Sequence, residues 1–148
     1  MNISAADAKR LGQRRAQPTK APGELLAVWV RGKLTNGKNQ SQAWQLKAWG
    51  RYKRDWREQV LYALLLVDWR RGTVAAEVPK RIVFRAWCFN KLDSDGLALA
   101  LAPVRDALMQ AGVIHEDADR AGHEFVYQPC EIAKASTHQG VEIRVSLR

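Results

Sequence analysis

The stretch Lys80–Gly112, KRIVFRAWCFNKLDSDGLALALAPVRDALMQAG, decides the fold because a strand pattern runs directly into a helix pattern. Residues 80–90 alternate well enough for a strand. The core side of the helix that follows carries Leu97, Leu101, Val104 and Leu108. Pro103 lacks a backbone N–H, so we expect a kink or a weak first turn there. Gly112 closes the helix as a C-terminal glycine.

Outward from this stretch, the pattern predicts a strand over 24–34, a polar loop over 35–41 and a long helix over about 42–69. One side of the long helix carries apolar residues at spacings of three and four. These residues are Trp49, Tyr52, Trp56, Val60, Ala63 and Val67. Two more strands are predicted over 124–128 and 141–147. The order predicts an α+β fold, in which a single domain packs a mixed β-sheet with the long basic helix and with a second helix after the Asp-x-Asp motif.

The two ends of the chain differ in character. Residues 1–23 are polar and basic, and we predict a flexible basic N-terminal arm there, with a short helix up to about Arg15 and a folded domain over 24–148. No apolar segment follows that could serve as a secretion signal, and the longest apolar run, 60–67, is far shorter than the ~20 residues of a membrane span. We therefore expect a cytoplasmic protein in which Cys88 and Cys130 are reduced, partly buried thiols rather than zinc ligands.

The positive charge is concentrated in the first part of the chain. Residues 1–60 hold 13 Lys and Arg against four acids, whereas residues 61–148 hold 11 of each, so the net +9 belongs to the first part. Such an asymmetry indicates a polyanionic partner, because each neutralised phosphate releases counterions; a merely basic surface is the alternative. The predicted DNA-binding residues are Lys47, Arg51, Lys53, Arg54, Arg57 and Lys91.

Three aspartates are the candidate metal ligands. Asp93 and Asp95 are two residues apart at the end of a strand, and Asp117 lies in a loop that could return to the same sheet edge. Two such charges ~4 Å apart repel by about 4 kcal/mol at an effective dielectric of 20, and a hard cation such as Mg²⁺ removes that penalty. The alternative is structural: Asp95 caps the next helix, and the other acids lie in solvated turns.

The wider pattern favours the metal site. The run Leu92-Asp93-Ser94-Asp95-Gly96-Leu97, then Arg105-Asp106-Ala107-Leu108, then Ala111-Gly112-Val113-Ile114-His115-Glu116-Asp117 resembles the RusA family of Holliday junction resolvases. The ending Gly140-Val141-Glu142-Ile143-Arg144-Val145 is similar to that family's final strand. The resemblance covers about residues 24–148 and is strongest from Lys91 to Asp117.

This resemblance implies a homodimer that resolves four-way DNA junctions in recombination and repair by paired nicking. It implies Mg²⁺ as cofactor, with Mn²⁺ as a substitute, no small-molecule cofactor, and catalytic and metal-binding roles for Asp93, Asp95 and Asp117, with Glu116 as an outer ligand. Asp106, 11 residues past Asp95, is roughly 16 Å along a helix and cannot share the metal.

The chain departs from the family at one place. Family members carry a lysine in the helix after the aspartate pair, where this sequence has Leu99 and Ala102. Lys91 and Arg105 are the alternatives for its role in neutralising the phosphate. Two other functions therefore stay open: a catalytically weak or inactive branched-DNA-binding protein of prophage origin, and an RNA-directed or protein-interaction domain.

Overall fold

Five strands form one mixed sheet in the computed structural model, which describes residues 16–36, 43–71, 73–133 and 135–148. The strands are β1 (Glu24–Arg31), β2 (Lys80–Cys88), β3 (Glu124–Tyr127), β4 (Glu131–Ile132) and β5 (Gly140–Leu147). Their order is β1-β5-β2-β3, and β4 continues along the same side of β2 beyond β3. The β1–β5 and β5–β2 pairs are antiparallel, whereas β2 pairs with β3 and β4 in parallel. The mixed sheet that the sequence predicts is confirmed.

Three α-helices accompany the sheet in the described residues: α1 (Ala43–Leu66), α2 (Ser94–Ala100) and α3 (Ala102–Gln110). The helix α1 packs on α3 and on β1. The α2–α3 pair forms the crossover between the parallel strands β2 and β3, as parallel pairing requires. This arrangement confirms the predicted single α+β domain with a long basic helix and a second helical segment after the Asp-x-Asp motif.

The core forms between the sheet and the helices. Alternate residues of β2 are buried, which places Ile82, Phe84 and Ala86 on the core side. From α1, Trp56, Val60 and Ala63 complete this layer. The α1 stripe that the sequence predicts is therefore confirmed in its centre. Trp49, at its start, is only half-buried and lies outside this core.

The helix after the Asp-x-Asp motif breaks where Pro103 predicts. Leu101 ends α2 and begins α3, and Pro103 lies in the first turn of α3, where its missing N–H leaves no hydrogen bond unmade. At the other end, Gly112 has φ 77°, and the Gly112 and Val113 N–H groups donate to Met109 O and Leu108 O. This is a Schellman ending, and it confirms the predicted C-terminal glycine.

Several predicted elements have different bounds in the structure, the first strand and the long helix most of all. The first strand ends at Arg31 rather than at residue 34, and α1 ends at Leu66 rather than at residue 69. The short strand β4 has no counterpart among the predicted elements, because only its pairing with β2 makes it a strand. The predicted helix near Arg15 lies outside the described residues. No helix among the described residues combines the length and the apolar character that a membrane span needs.

Residues just before β1 lie against the sheet edge. The Gln17 side chain accepts from Trp29 N at 2.8 Å and donates to Trp29 O at 3.2 Å, so its amide pairs with the strand as a neighbouring peptide group would. Arg144 of β5 donates to Thr19 O and to Glu24 Oε1. The last residues of the predicted basic arm therefore contact β1 and β5.

A buried lysine fixes the entry to β2. Lys80 is fully buried, and its ammonium donates to Ala75 O at 2.8 Å, Val78 O at 2.9 Å and Ala76 O at 3.4 Å. Its backbone N–H donates to His123 Nδ1 at 3.1 Å, which joins the start of β2 to the start of β3. The charge of Lys80 is therefore matched by carbonyl groups of its own loop.

Candidate functional site

The Asp93–Asp95 pair lies at the N-terminus of α2. Asp93 has extended backbone (φ −72°, ψ 172°), and its Oδ1 accepts from Gly96 N at 2.7 Å, so it caps the helix. Asp95 lies in the first turn, and both side chains are exposed. A helix N-terminus favours negative charge, which stabilises the pair locally. The structural alternative named Asp95 as the cap, and this assignment was wrong because Asp93 takes that position.

At Gly96 the segment that follows β1 lies close to the Asp93–Asp95 pair. A Cβ on Gly96 would stand 2.8 Å from Asp93 Oδ1 and 3.3 Å from Asn36 Cγ and Nδ2. Only the absence of a side chain lets the segment after β1 approach α2 so closely. Asn36 therefore lies beside the residue that separates the acidic pair from the rest of α2.

Asp117 is held by Arg105. Its Oδ2 is 3.6 Å from Arg105 Nε, and the guanidinium also donates through Nη1 to Ala98 O at 2.9 Å and to the Tyr127 hydroxyl at 2.6 Å. The Arg105 side chain is 16% exposed and that of Asp117 41% exposed. Because Ala98 lies one helical turn after Asp95, the guanidinium connects Asp117 to the same helix that begins with the acidic pair.

The arginine is fixed by aromatic rings as well. The Arg105 guanidinium carbon is 5.9 Å from the Phe125 ring centroid and 5.8 Å from that of Tyr127, both in β3. Burial raises the pKa of Tyr127 despite the nearby positive charge, so its hydroxyl stays protonated. Arg105 is therefore held in a fixed position between α2, β3 and the 113–119 loop.

The other predicted acid is engaged elsewhere. Glu116 Oε1 accepts from Arg120 Nε at 2.5 Å, four residues on. The neighbouring His115 contacts His123, with its Nδ1 3.2 Å from His123 Nε2. Asp106 is exposed on α3.

The three aspartates have the donor chemistry that Mg²⁺ prefers, but the described geometry does not gather them. Within residues 16–36, 43–71, 73–133 and 135–148, no three or more His, Cys, Asp and Glu side chains form a group that could hold a metal ion. One Asp93 oxygen is used by the helix cap, and Asp117 faces Arg105. A shared metal site would need these carboxylates to change partners.

The basic residues predicted to bind DNA form an exposed face of α1. All five side chains are exposed, and none makes an ion pair with another described residue. They are Lys47, Arg51, Lys53, Arg54 and Arg57. Lys91, two residues before Asp93, is also exposed.

Tyr52, which the sequence pattern assigns only to the core, links α1 to α2. The Tyr52 hydroxyl donates to Ala100 O at the end of α2 at 2.8 Å and accepts from Thr35 N at 3.4 Å. Burial raises the pKa of Tyr52, which keeps the hydroxyl a donor. Spacing alone placed Tyr52 on the buried side; its link to α2 depends on how the helices pack. Comparison with models of known protein families and with curated proteins finds no match to this chain.

Proposed function

We propose that the protein is a magnesium-dependent endonuclease that cuts branched DNA, in the manner of a Holliday junction resolvase. The observation that carries the proposal is that α2, which begins with the acidic pair, contacts α1, whose cations make no ion pair with another described residue. Tyr52 of α1 donates to Ala100 O at the end of α2, and Asn36, in the segment after β1, lies beside Gly96.

The DNA-binding half of the proposal rests on α1. Cations that no carboxylate neutralises keep their full attraction for phosphate, and phosphate contacts position a duplex without reading its sequence. Lys47, Arg51 and Arg54 lie three or four residues apart, so they share one side of the helix. This side would hold a DNA strand in a fixed register relative to α2.

The cutting half of the proposal assigns Mg²⁺, or Mn²⁺ in its place, to Asp93, Asp95 and Asp117. Such an ion, when bound, lowers the pKa of a water and stabilises negative charge on phosphate oxygens. The proposal requires Asp117 to release Arg105, whose guanidinium stays anchored by Ala98 O and the Tyr127 hydroxyl. Arg105 would then lose its contact with the Asp117 carboxylate and supply positive charge to the phosphate, in place of the lysine of the resembled family.

Symmetric cutting of a four-way junction needs two acidic sites, whereas one chain supplies one. A C2 dimer satisfies this requirement, because each protomer then presents the same site to one of the paired strands. The homodimer is therefore part of the proposal.

The experiment is cleavage of a synthetic four-way junction with Mg²⁺ or Mn²⁺, combined with titration of Mn²⁺ into the protein by electron paramagnetic resonance. We expect Asp95→Asn and Asp117→Asn to lose cleavage and to weaken Mn²⁺ binding while junction binding remains. Asp119→Asn is the matched control, because Asp119 is exposed two residues from Asp117 and makes no ion pair with a described residue. Intact junction binding without cleavage in any divalent ion would overturn the proposal.

A second function is favoured by the same carboxylates. Because Asp93 caps α2 and Asp117 pairs with Arg105, each has a structural partner without any metal. A protein of this kind would bind branched DNA without cutting it. Junction binding with no Mn²⁺ binding, and with equal behaviour of Asp95→Asn and wild type, is the result that supports it.

A further inference from the structure

A groove lies between α1 and the segment that follows β1. Its volume is about 620 Å³, within the ~300–1,000 Å³ typical of sites for small ligands. Its lining combines aromatic rings with charges of both signs. The lining includes Trp49, Tyr52, Arg31, Lys33, Arg51 and Glu58.

The aromatic wall is preorganised. Trp49 stacks on Tyr52 with ring centroids 4.7 Å apart and planes at 21°, and Tyr52 meets Trp56 edge-on at 6.4 Å. Trp56 is buried, its Nε1 donates to Lys33 O at 3.2 Å, and Gly32 leaves room for its ring. A rigid row of rings therefore ends in the half-buried Trp49, which loses little freedom when another flat group stacks on it.

The charged residues beside these aromatic rings could bind a ligand that has an anionic group at one end and hydrogen-bond donors at the other. Arg31, Lys33 and Arg51 can bind phosphate oxygens, whereas Asp55 and Glu58 can only accept hydrogen bonds, such as those from amino groups on base edges. An aromatic platform beside cations is the combination that binds single-stranded nucleic acid. A base inside a duplex is stacked on both faces and cannot reach such a platform.

We propose that this groove binds one unpaired nucleotide of DNA, with its base on Trp49 and its phosphates on Arg51 and Lys33. The inference rests on the proposed function for its DNA partner and names the part of a branched substrate that the protein recognises. Unpaired nucleotides occur in gaps and flaps and wherever a base pair opens at a branch point, and they are absent from an intact duplex.

The groove lies close to the Asp93–Asp95 pair, so binding of a nucleotide there could position DNA for the proposed cutting. Thr35 lines the groove, and the next residue, Asn36, lies against Gly96 between the acidic pair and the rest of α2. A nucleotide held in the groove would therefore place its strand near the N-terminus of α2. The protein would recognise the branch through the unpaired base and the duplex arms through the rest of α1.

The experiment compares binding of labelled single-stranded hexathymidine, a labelled intact duplex and a four-way junction by fluorescence anisotropy. Because base–aromatic stacking contributes about 1–3 kcal/mol per base, Trp49→Ala should weaken hexathymidine binding by roughly 5- to 150-fold. Trp49→Phe keeps a stacking ring, so binding should recover to within a few-fold of wild type. Duplex binding should change little in either variant.

Arg51 and Arg54 give a matched pair for the charges, since both are exposed on α1 and only Arg51 lines the groove. Arg51→Gln should weaken hexathymidine binding more than Arg54→Gln, while both weaken duplex binding alike. Circular dichroism checks that each variant is folded.

The outcomes separate the two proposals. Equal losses of hexathymidine and duplex binding in Trp49→Ala, or no loss in either, would overturn the groove as a nucleotide site. Hexathymidine binding that depends on Trp49, without cleavage of any junction, supports the groove and overturns the proposed cutting. Absence of hexathymidine binding by wild type at low salt overturns the groove, whatever the junction assay gives.

Discussion

The cations of helix α1 and the arginines of residues 80–148, the sheet half of the molecule, have different surroundings. The five basic residues of α1 lie exposed without an ion pair to any described residue. In the sheet half, Arg81 and Arg148 both face Glu124, Arg85 faces Glu131 and Arg120 faces Glu116. Several charges of residues 61–148 thus form local ion pairs, whereas the five cations of α1 are exposed to solvent.

This difference separates two uses of positive charge. A paired surface cation adds little to stability, about 0–1 kcal/mol, and offers little attraction to a distant anion. An unpaired row on one helix creates a local field that attracts a polyanion and weakens with salt. This difference predicts that α1 controls DNA affinity, while the paired cations Arg81, Arg85, Arg120 and Arg148 contribute, at most, to the stability of the fold.

The largest expected effect comes from removing four α1 cations together. The variant changes Lys47, Arg51, Arg54 and Arg57 to Gln. Junction affinity at ~0.1 M salt should fall on the order of 10³-fold, and the slope of log K against log salt should decrease by about 3–4, because up to four phosphate contacts are lost. Equilibrium binding at several salt concentrations measures both quantities.

The control for this variant removes the same charge from the sheet half. It changes Arg81, Arg85, Arg120 and Arg148 to Gln. An equal loss of junction affinity in the control would contradict the prediction that α1 controls DNA affinity, because the net charge of the protein rather than the position of the charges would then determine binding.

Removing the buried cation should affect the fold alone. In Lys80→Met the carbonyls of Ala75 and Val78 lose their donor, so the free energy of unfolding should fall by roughly 1–3 kcal/mol. Urea denaturation measures the loss, and junction affinity of the folded variant should stay within about twofold of wild type. A large loss of affinity at full stability would contradict the assignment of Lys80 to structure.

His123, which contacts Lys80, should make the free energy of unfolding depend on pH. Burial, with the nearby charges of Lys80 and His115, lowers the pKa of His123 below its ordinary value. The unfolded chain therefore binds a proton first as pH falls below about 6.5, and the free energy of unfolding should decrease from there down to the folded pKa, by at most ~1.4 kcal/mol per pH unit.

Urea denaturation between pH 7.5 and pH 5 checks this dependence. His123→Gln should reduce the slope, because glutamine can accept from Lys80 N without titrating. His138→Gln, at an exposed site, is the control and should keep the wild-type slope. An unchanged slope in His123→Gln would assign the acid sensitivity to other groups.

The smallest effect is expected for a single surface pair. Arg85 and Glu131 are 2.9 Å apart with about half of each side chain exposed (46% and 44%). Arg85→Gln should cost no more than about 1 kcal/mol of unfolding free energy and should leave junction affinity unchanged. A loss of affinity as large as that of Arg54→Gln would show that pairing does not remove a cation from DNA binding.

Local chemistry explains which parts of the fold could be predicted from the sequence. Pro103 and Gly112 restrict their own backbone, so the break between α2 and α3 and the end of α3 follow from single residues. The strand β4 could not be predicted in this way, because two residues form a strand only through their pairing with β2.

The site was less predictable for the same reason. The sequence predicts Asp93, Asp95 and Asp117 as site residues, but the partners of their side chains depend on packing between distant segments. The contact of Asp117 with Arg105 is set by where the loop after α3 returns, and Trp49 lies at the groove although its spacing fits the core stripe. A periodic pattern identifies the side of a helix and does not identify what covers each turn.

The Gln17 amide has a consequence for assembly. The free peptide groups of an edge strand allow a second molecule to extend a sheet, and β1 is an edge strand among the strands that the structure describes. At Trp29 both peptide groups are already bonded to Gln17, so a neighbouring copy could add a strand at this edge only by displacing that side chain. The proposed pairing of two protomers should accordingly leave Gln17 in place and join them through other surfaces.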